Sequence, residues 1–298
     1  MPAVYFEFRN WLEGTYTLRI LDGCVDLFVK IGPYVLVSIV ISVAVTRFFR
    51  TRKKLLFPAR NELLAIVSAA AVGLVSPLPT YAAIPVGLSL IPAGIPFSAV
   101  LAFAIASPLI NPSVFYLTAA RLGLEMALIR TIVAFVIGCA GGVLVMTVFR
   151  SLRKEDVPAP FLQPPVERTL WTDIRRTSLY TGKVFGIAIL ISAAVKALVP
   201  AQTIVNLAGE HAATGTLVAM GLGVPFYSCG GAAIPFMETL MDMGMGKGPV
   251  LAFFIAGPAT KLETIYAFRS TMGMKVLFLY LGLTLACAFA AGSMYSLF

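Results

Sequence analysis

The sequence predicts an all-α polytopic membrane protein with two inverted-topology repeats, Pro/Gly-broken helices and re-entrant hairpins. Three observations carry this. The 298-residue chain is 59% hydrophobic and 12% charged, with a mean hydropathy of +0.90. Soluble domains hold roughly 45–50% apolar and about 25% charged residues. Segment 75–114 lies over 225–264 without a gap, with 13 of 40 positions identical. The basic residues cluster between apolar stretches, as they do in cytoplasmic loops. The net charge of +9 therefore marks topology, not a nucleic-acid partner.

In chain order, residues 1–25 alternate aromatic and charged side chains (Tyr5, Phe6, Glu7, Phe8, Arg9, Trp11, Glu13) and have no apolar h-region. They read as an extracytoplasmic amphipathic segment lying at the interface. Residues 26–149 form the first transmembrane repeat, 150–182 a cytoplasmic linker rich in Pro and charge, and 183–298 the second repeat. Four stretches are long enough to cross about 30 Å of hydrocarbon as plain helices: Asp26–Phe49, Leu124–Phe149, Lys183–Pro200 and Met274–Phe298. Gly138 and Gly142 in the second give a small-xxx-small face for close helix packing.

The copied stretches are punctured. "AAIP" recurs at 82–85 and 232–235, and "LAFAIASP" at 101–108 recurs as "LAFFIAGP" at 251–258. "SPLP", "IPAGIP" and "SPLINP" cut the first copy into pieces too short to span. Proline in a helix removes a hydrogen bond and clashes with the preceding turn. The simplest path runs to a midplane break, turns as a hairpin at "IPAGIP", and continues to the far side. By symmetry "VPFYSCGG" (224–231) and "GPATKLET" (257–264) also lie near the midplane. Unpaired backbone there is tolerated only inside protein or beside water, and paired broken helices build substrate sites in secondary transporters.

Charge sets the orientation. The loop 47–60 holds Arg47, Arg50, Arg52, Lys53, Lys54 and Arg60 without an acid, and 150–183 is likewise basic, whereas 200–212 has no Lys or Arg. The first copy then starts inside and the second outside, so the copies are inverted. Arg121 and Arg130 run against this assignment, with Glu125 placed to neutralise them.

"ASPLINP", "AGPAT", the "LAF.IA" pattern and the Cys-Gly element before "AAIP" resemble the predicted permeases of the ArsP and YraQ type, which include bacterial organoarsenical efflux permeases. The resemblance spans both repeats. It implies a permease of the cell inner (cytoplasmic) membrane, multi-pass, with motif residues at Ser107, Pro108, Asn111 and Pro112 and at Gly257, Pro258, Ala259 and Thr260. In that family a cysteine-containing element precedes each "IP". Here Cys229, beside Ser228, falls opposite Pro79, and Lys261 replaces the family's Asn after "GPAT". One sulfur is poor for binding arsenic(III) through thiolates, which wants two or three.

Individual residues keep two readings. Asn111 either orients a polar substrate or caps the next helix. Lys261 and Glu263 flank the second break, where charge is costly and rarely idle. They either couple transport to protons or neutralise each other. Glu238 and Asp242 share a helix face, as an acidic mouth or an interface near Lys247. His211 and the methionines 237, 241, 243 and 245 read as surface and packing residues.

The sequence therefore points to a secondary transporter exporting a small toxic compound, such as a trivalent organoarsenical. A channel or passive facilitator is the alternative. An intramembrane thiol redox protein is a weaker one, because it needs two matched cysteines. No GxxxxGK[ST] motif or catalytic constellation appears, so neither an enzyme nor a cofactor is expected. The expected partners are a small-molecule substrate and the lipid bilayer, with a homo-oligomer allowed and no nucleic acid.

Overall fold

The computed structural model describes residues 61–148 except 77, 79, 89, 90, 92 and 93, together with 201–208, 212–226 and 233–297. It also describes scattered positions in 17–40 and 171–200. Of the four plain spans, Asp26–Phe49 and Lys183–Pro200 fall largely outside these residues. Within them the structure is helical, with no strand.

Copy one supplies α1 (Glu62–Val75), α2 (Thr80–Leu88), α3 (Phe97–Ala106), α4 (Pro112–Leu122) and α5 (Leu124–Val148). After α6 (Ala201–Ala208), copy two supplies α7 (Ala212–Phe226), α8 (Ala233–Asp242), α9 (Lys247–Thr260) and α10 (Leu262–Tyr295). The stretch 200–212, free of Lys and Arg, thus holds a short helix where the sequence suggested a loop. Gln202 donates to Asn206 one turn on.

The 150-residue offset recurs in the backbone. Gly94 and Gly244 adopt φ 95° and 102°, and Gly123 and Gly273 adopt φ 96° and 83°. No other described residue has positive φ. Gly123 separates α4 from α5, and Gly273 kinks α10 at the corresponding place. The region is one that residues with a Cβ rarely enter. Gly94 sits in the α2–α3 turn, its N–H donating to Ile91. α2 and α3 have 9 and 10 residues, about 14–15 Å of helix, half a hydrocarbon core.

Packing recurs at the same offset. A Cβ on Gly73 would lie 3.0 Å from the Phe103 carbonyl and 3.2 Å from the Ser107 nitrogen. A Cβ on Gly223 would lie 3.2 Å from the Gly257 nitrogen. So α1 presses on α3, and α7 on α9, at equivalent turns. Gly138 and Gly142 face Ala102 and Ala106, seating α5 on α3 as the small-residue pattern anticipated, and Gly292 meets Gly248 and Ala252.

α3 and α9 are apolar all round because both are enclosed: every residue from Ser98 to Ala106 and from Gly248 to Ala259 is buried. The outer helices are different. Leu124, Leu128, Ile132 and Val136 are exposed along one stripe of α5. α5 and α10 both carry stretches long and apolar enough to cross a membrane. A continuous apolar outer stripe facing away from the core suits lipid, not water.

Candidate functional site

The first break is a short non-helical link between α3 and α4. The helix ends because Pro108 has no N–H to donate and Pro112 disfavours helical geometry at Asn111. Asn111 is extended, at φ −149° and ψ 170°, and its side-chain oxygen accepts from Val114 N–H at 3.0 Å. Asn111 therefore caps α4, with Pro112 at the first helical position, the residue preference expected there. Its hydrogen bonds lie within its own segment.

Ser107 is fully buried and joins two breaks. Its hydroxyl donates to the Leu78 carbonyl at 2.8 Å, so "SPLP" and "SPLINP" meet. The Gly73 contact lies one turn away on the same seam.

The link also holds a cation. Arg130, on α5, is 1% exposed. Its guanidinium donates to the Leu109 carbonyl at 2.9 Å and to the Thr118 hydroxyl at 3.2 Å. Thr118 passes the chain on by donating to Val114 O. The guanidinium carbon lies 4.2 Å from the ring centroid of Phe254 on α9, a cation–π contact. Arg130 thus touches the first break with one side and the second copy with the other. In the second copy its place is taken by Tyr280, which stacks on Phe268 at 4.1 Å.

The second break differs from the expectation. α9 runs through Pro258 to Thr260, and only Lys261 is extended, at ψ 132°. Helix continuity survives because Thr260 and its neighbours finish the last turn. The Thr260 hydroxyl donates to Ala256 at 3.0 Å. Pro258 still has no N–H for the Phe254 carbonyl. Gly257 lies against Gly223, Lys261 is half-buried, and Glu263 falls in the first turn of α10. Ser228 and Cys229 lie outside the described residues, as does Pro79. Met237, Met243 and Met245 are buried in the core.

Two pairings assumed from sequence proximity are replaced by contacts between the copies. Glu238 does not face Lys247: it pairs with Arg121 at the end of α4, whose Nε donates at 3.1 Å. Glu125 does not neutralise Arg121 or Arg130. It takes Lys247 at 3.1 Å and the Tyr295 hydroxyl at 2.9 Å. The Gly123 corner turns α5 away from α4, so neighbours in sequence point to different helices of the other copy.

Among the described residues no group of His, Cys, Asp and Glu could hold a metal ion. Cys24, Cys139 and Cys287 are free thiols. Arg130 is the residue that sequence reading missed. The signal was there, a single cation inside an apolar span, but it was read only as an obstacle to the topology.

The sequence profile of the predicted permease family, ArsP type, matches residues 19–297. The chain belongs to this family. Two further relatives carry family names without a stated activity. The permease is 30% identical over 110 residues to the UPF0718 protein MJ0584 of Methanocaldococcus jannaschii, an alignment covering 36% of this chain and 30% of that protein. It is 22% identical over 266 residues to the UPF0718 protein YcgR of Bacillus subtilis, covering 86% and 89%. No solved structure matches it. The match spans both copies, and with the apolar outer helices it marks the permease as an integral membrane protein.

Proposed function

We propose that this permease is a secondary transporter of the cell inner membrane that exports a small, partly apolar toxic compound. The observation that carries the reading is the Arg130 bridge from the Leu109 carbonyl to the Phe254 ring. Charge is expensive at membrane depth and is kept where it acts. Here it sits where an interrupted helix of one copy meets a core helix of the other. Interrupted helices at a repeat interface are the usual ground plan of a transporter's substrate site.

In this reading Ser107, Pro108, Asn111 and Pro112 form one wall and Gly257, Pro258, Thr260, Lys261 and Glu263 the other. Ser228 and Cys229 complete the site. The copies run in opposite directions through the bilayer, and the α2–α3 and α8–α9 pairs are re-entrant hairpins. The short lengths of α2 and α3 and the matched glycine turns support this arrangement. The family resemblance favours a trivalent organoarsenical as cargo, and the protein is not an enzyme.

Everted membrane vesicles test it. Uptake of methylated or aromatic arsenicals should exceed that of vesicles lacking the protein and should fall when the proton gradient is collapsed. Uptake no different from control vesicles, for every compound tried, removes the transport reading.

A further inference from the structure

We propose that Arg121 with Glu238, seconded by Lys247 with Glu125, is the latch of an outer gate, and that cargo passes the extracytoplasmic face only when these grips part. This deepens the transport reading and rests on it and on the inverted arrangement that goes with it.

The grips join two corners. In copy one α4 ends beside Arg121, the chain turns at Gly123, and α5 begins with Glu125 in its first turn. In copy two α8 carries Glu238, the chain turns at Gly244, and α9 begins at Lys247. The Arg121 guanidinium reaches both oxygens of Glu238, and Lys247 reaches Glu125 at 3.1 Å. Each arm of the copy-two hairpin is therefore held to one helix of the copy-one corner. The Tyr295 hydroxyl donates to the same Glu125 at 2.9 Å, which brings the end of α10 to the same place.

The contacts on either side of this line are of another kind. A Cβ on Gly142 would lie 3.0 Å from the Ser98 carbonyl, closing α5 on α3 within copy one. A Cβ on Gly248 would lie 2.2 Å from the Gly292 carbonyl, closing α9 on the end of α10 within copy two. Close-packed seams cannot part without opening voids. Ion pairs at a part-exposed rim can trade their partners for water. The line between the corners is thus where the copies can rock apart as bodies, the movement that alternating access uses.

The repeat supplies a control. At the 150-residue offset Arg121 matches Thr271 and Glu238 matches Leu88, while Glu125 matches Lys275 and Lys247 matches Phe97. Neither matched pair can form an ion pair. Leu88 is buried, and the Thr271 hydroxyl donates back to Ala267 in its own helix. A corner of this kind, around Gly273, is therefore built without the charges. With the copies inverted, the two corners lie on opposite faces, and the charges close one face more firmly than the other.

Thiol labelling tests the latch. Leu117 lies one turn of α4 before Arg121 and is 1% exposed. Its match at the same offset is Ala267. Leu117→Cys and Ala267→Cys are each made in a chain whose four native cysteines are replaced. An impermeant methanethiosulfonate is applied to intact cells for the first and to everted vesicles for the second. Labelling of a buried thiol reports the population of the open form. Arg121→Gln or Glu238→Gln should speed labelling at 117 by about tenfold or more, because the pair is largely enclosed. The swap Arg121→Glu with Glu238→Arg should slow it again. Labelling at 267 should hold or fall, since the faces open alternately. Lys247→Gln removes the exposed grip, should speed labelling at 117 by about twofold to fivefold, and carries the test if the other variants do not fold. Unchanged labelling at 117 in the folded variants overturns the latch, and so does an equal rise at both positions, which is general loosening. Arg121→Cys with Glu238→Cys, joined by a bis-methanethiosulfonate linker, should lose vesicle uptake and regain it on reduction. Full uptake with the linker in place also overturns the latch. Absence of uptake by the wild type for every compound removes the transport reading instead, and the labelling rates then decide the latch without it.

Discussion

Arg121 and Glu238 lie 117 residues apart in the chain, yet the guanidinium holds both carboxylate oxygens, joining α4 to α8 across the copies. Their side chains are 15% and 17% exposed, so neither charge has full access to water once its partner is gone. Arg121→Ala or Glu238→Ala should each destabilise the protein by about 2–4 kcal/mol, approaching the cost of orphaning a buried charge. The swap Arg121→Glu with Glu238→Arg should recover part of that in a thermal melt. The nearby Lys247–Glu125 pair is 56% and 61% exposed. Lys247→Ala should hardly change Tm, because exposed pairs contribute little. Equal losses from both pairs would contradict this division.

Gly273 lies inside α10 with φ 83°. Helix propensity alone says that Gly→Ala there stabilises by about 1 kcal/mol. The backbone says the reverse, since φ 83° with ψ 170° is a region almost confined to glycine, and holding a Cβ there costs about 1–3 kcal/mol. Gly273→Ala and Gly123→Ala should therefore both lower Tm. A rise for Gly273→Ala would mean that the kink straightens without penalty.

The Asn111 cap can be separated from any contact with substrate. Aspartate caps about as well as asparagine, whereas alanine costs about 1 kcal/mol. Asn111→Asp should melt like the wild type and Asn111→Ala slightly below it. If the amide also meets the substrate, Asn111→Asp should transport poorly although it folds normally, because it puts a charge in the site. Full transport by the Asp variant would confine Asn111 to capping.

Topology follows from the lysines and arginines. Both termini should lie outside the cytoplasm, with 47–60 and 150–183 inside. An impermeant thiol reagent applied to intact cells should label Ala201→Cys and leave Gln163→Cys untouched. The opposite pattern would turn the whole molecule over.

Much of this architecture is visible in the chain because it depends on local chemistry repeated twice. Gly94 and Gly244 match by position, and each sets a turn. Pro108 and Pro112 mark a true interruption, and Gly138 and Gly142 mark a true packing face. The misreadings share one cause, which is that the deciding partner was distant in sequence. Sequence proximity gives Glu125 to the nearest arginines, but the Gly123 corner hands it to Lys247 and Tyr295. Pro258 looked like a break equal to Pro108. It lies within the last turn of α9, which ends at Thr260, where the missing hydrogen bond disturbs little. Arg130 runs against the charge-based topology because its partners lie far along the chain, Leu109 within the first copy and Phe254 in the second.

The close seams at Gly73 and Gly223 run inside each copy, α1 on α3 and α7 on α9. Each half consequently carries its own principal scaffold, and what passes between halves is a smaller set of side-chain grips such as Arg121 with Glu238. Covalent continuity through 150–182 should then not be needed for assembly. Two separately translated fragments, divided in that linker, should find each other in the membrane and reassemble, so the same permease could be encoded by a pair of genes as readily as by one.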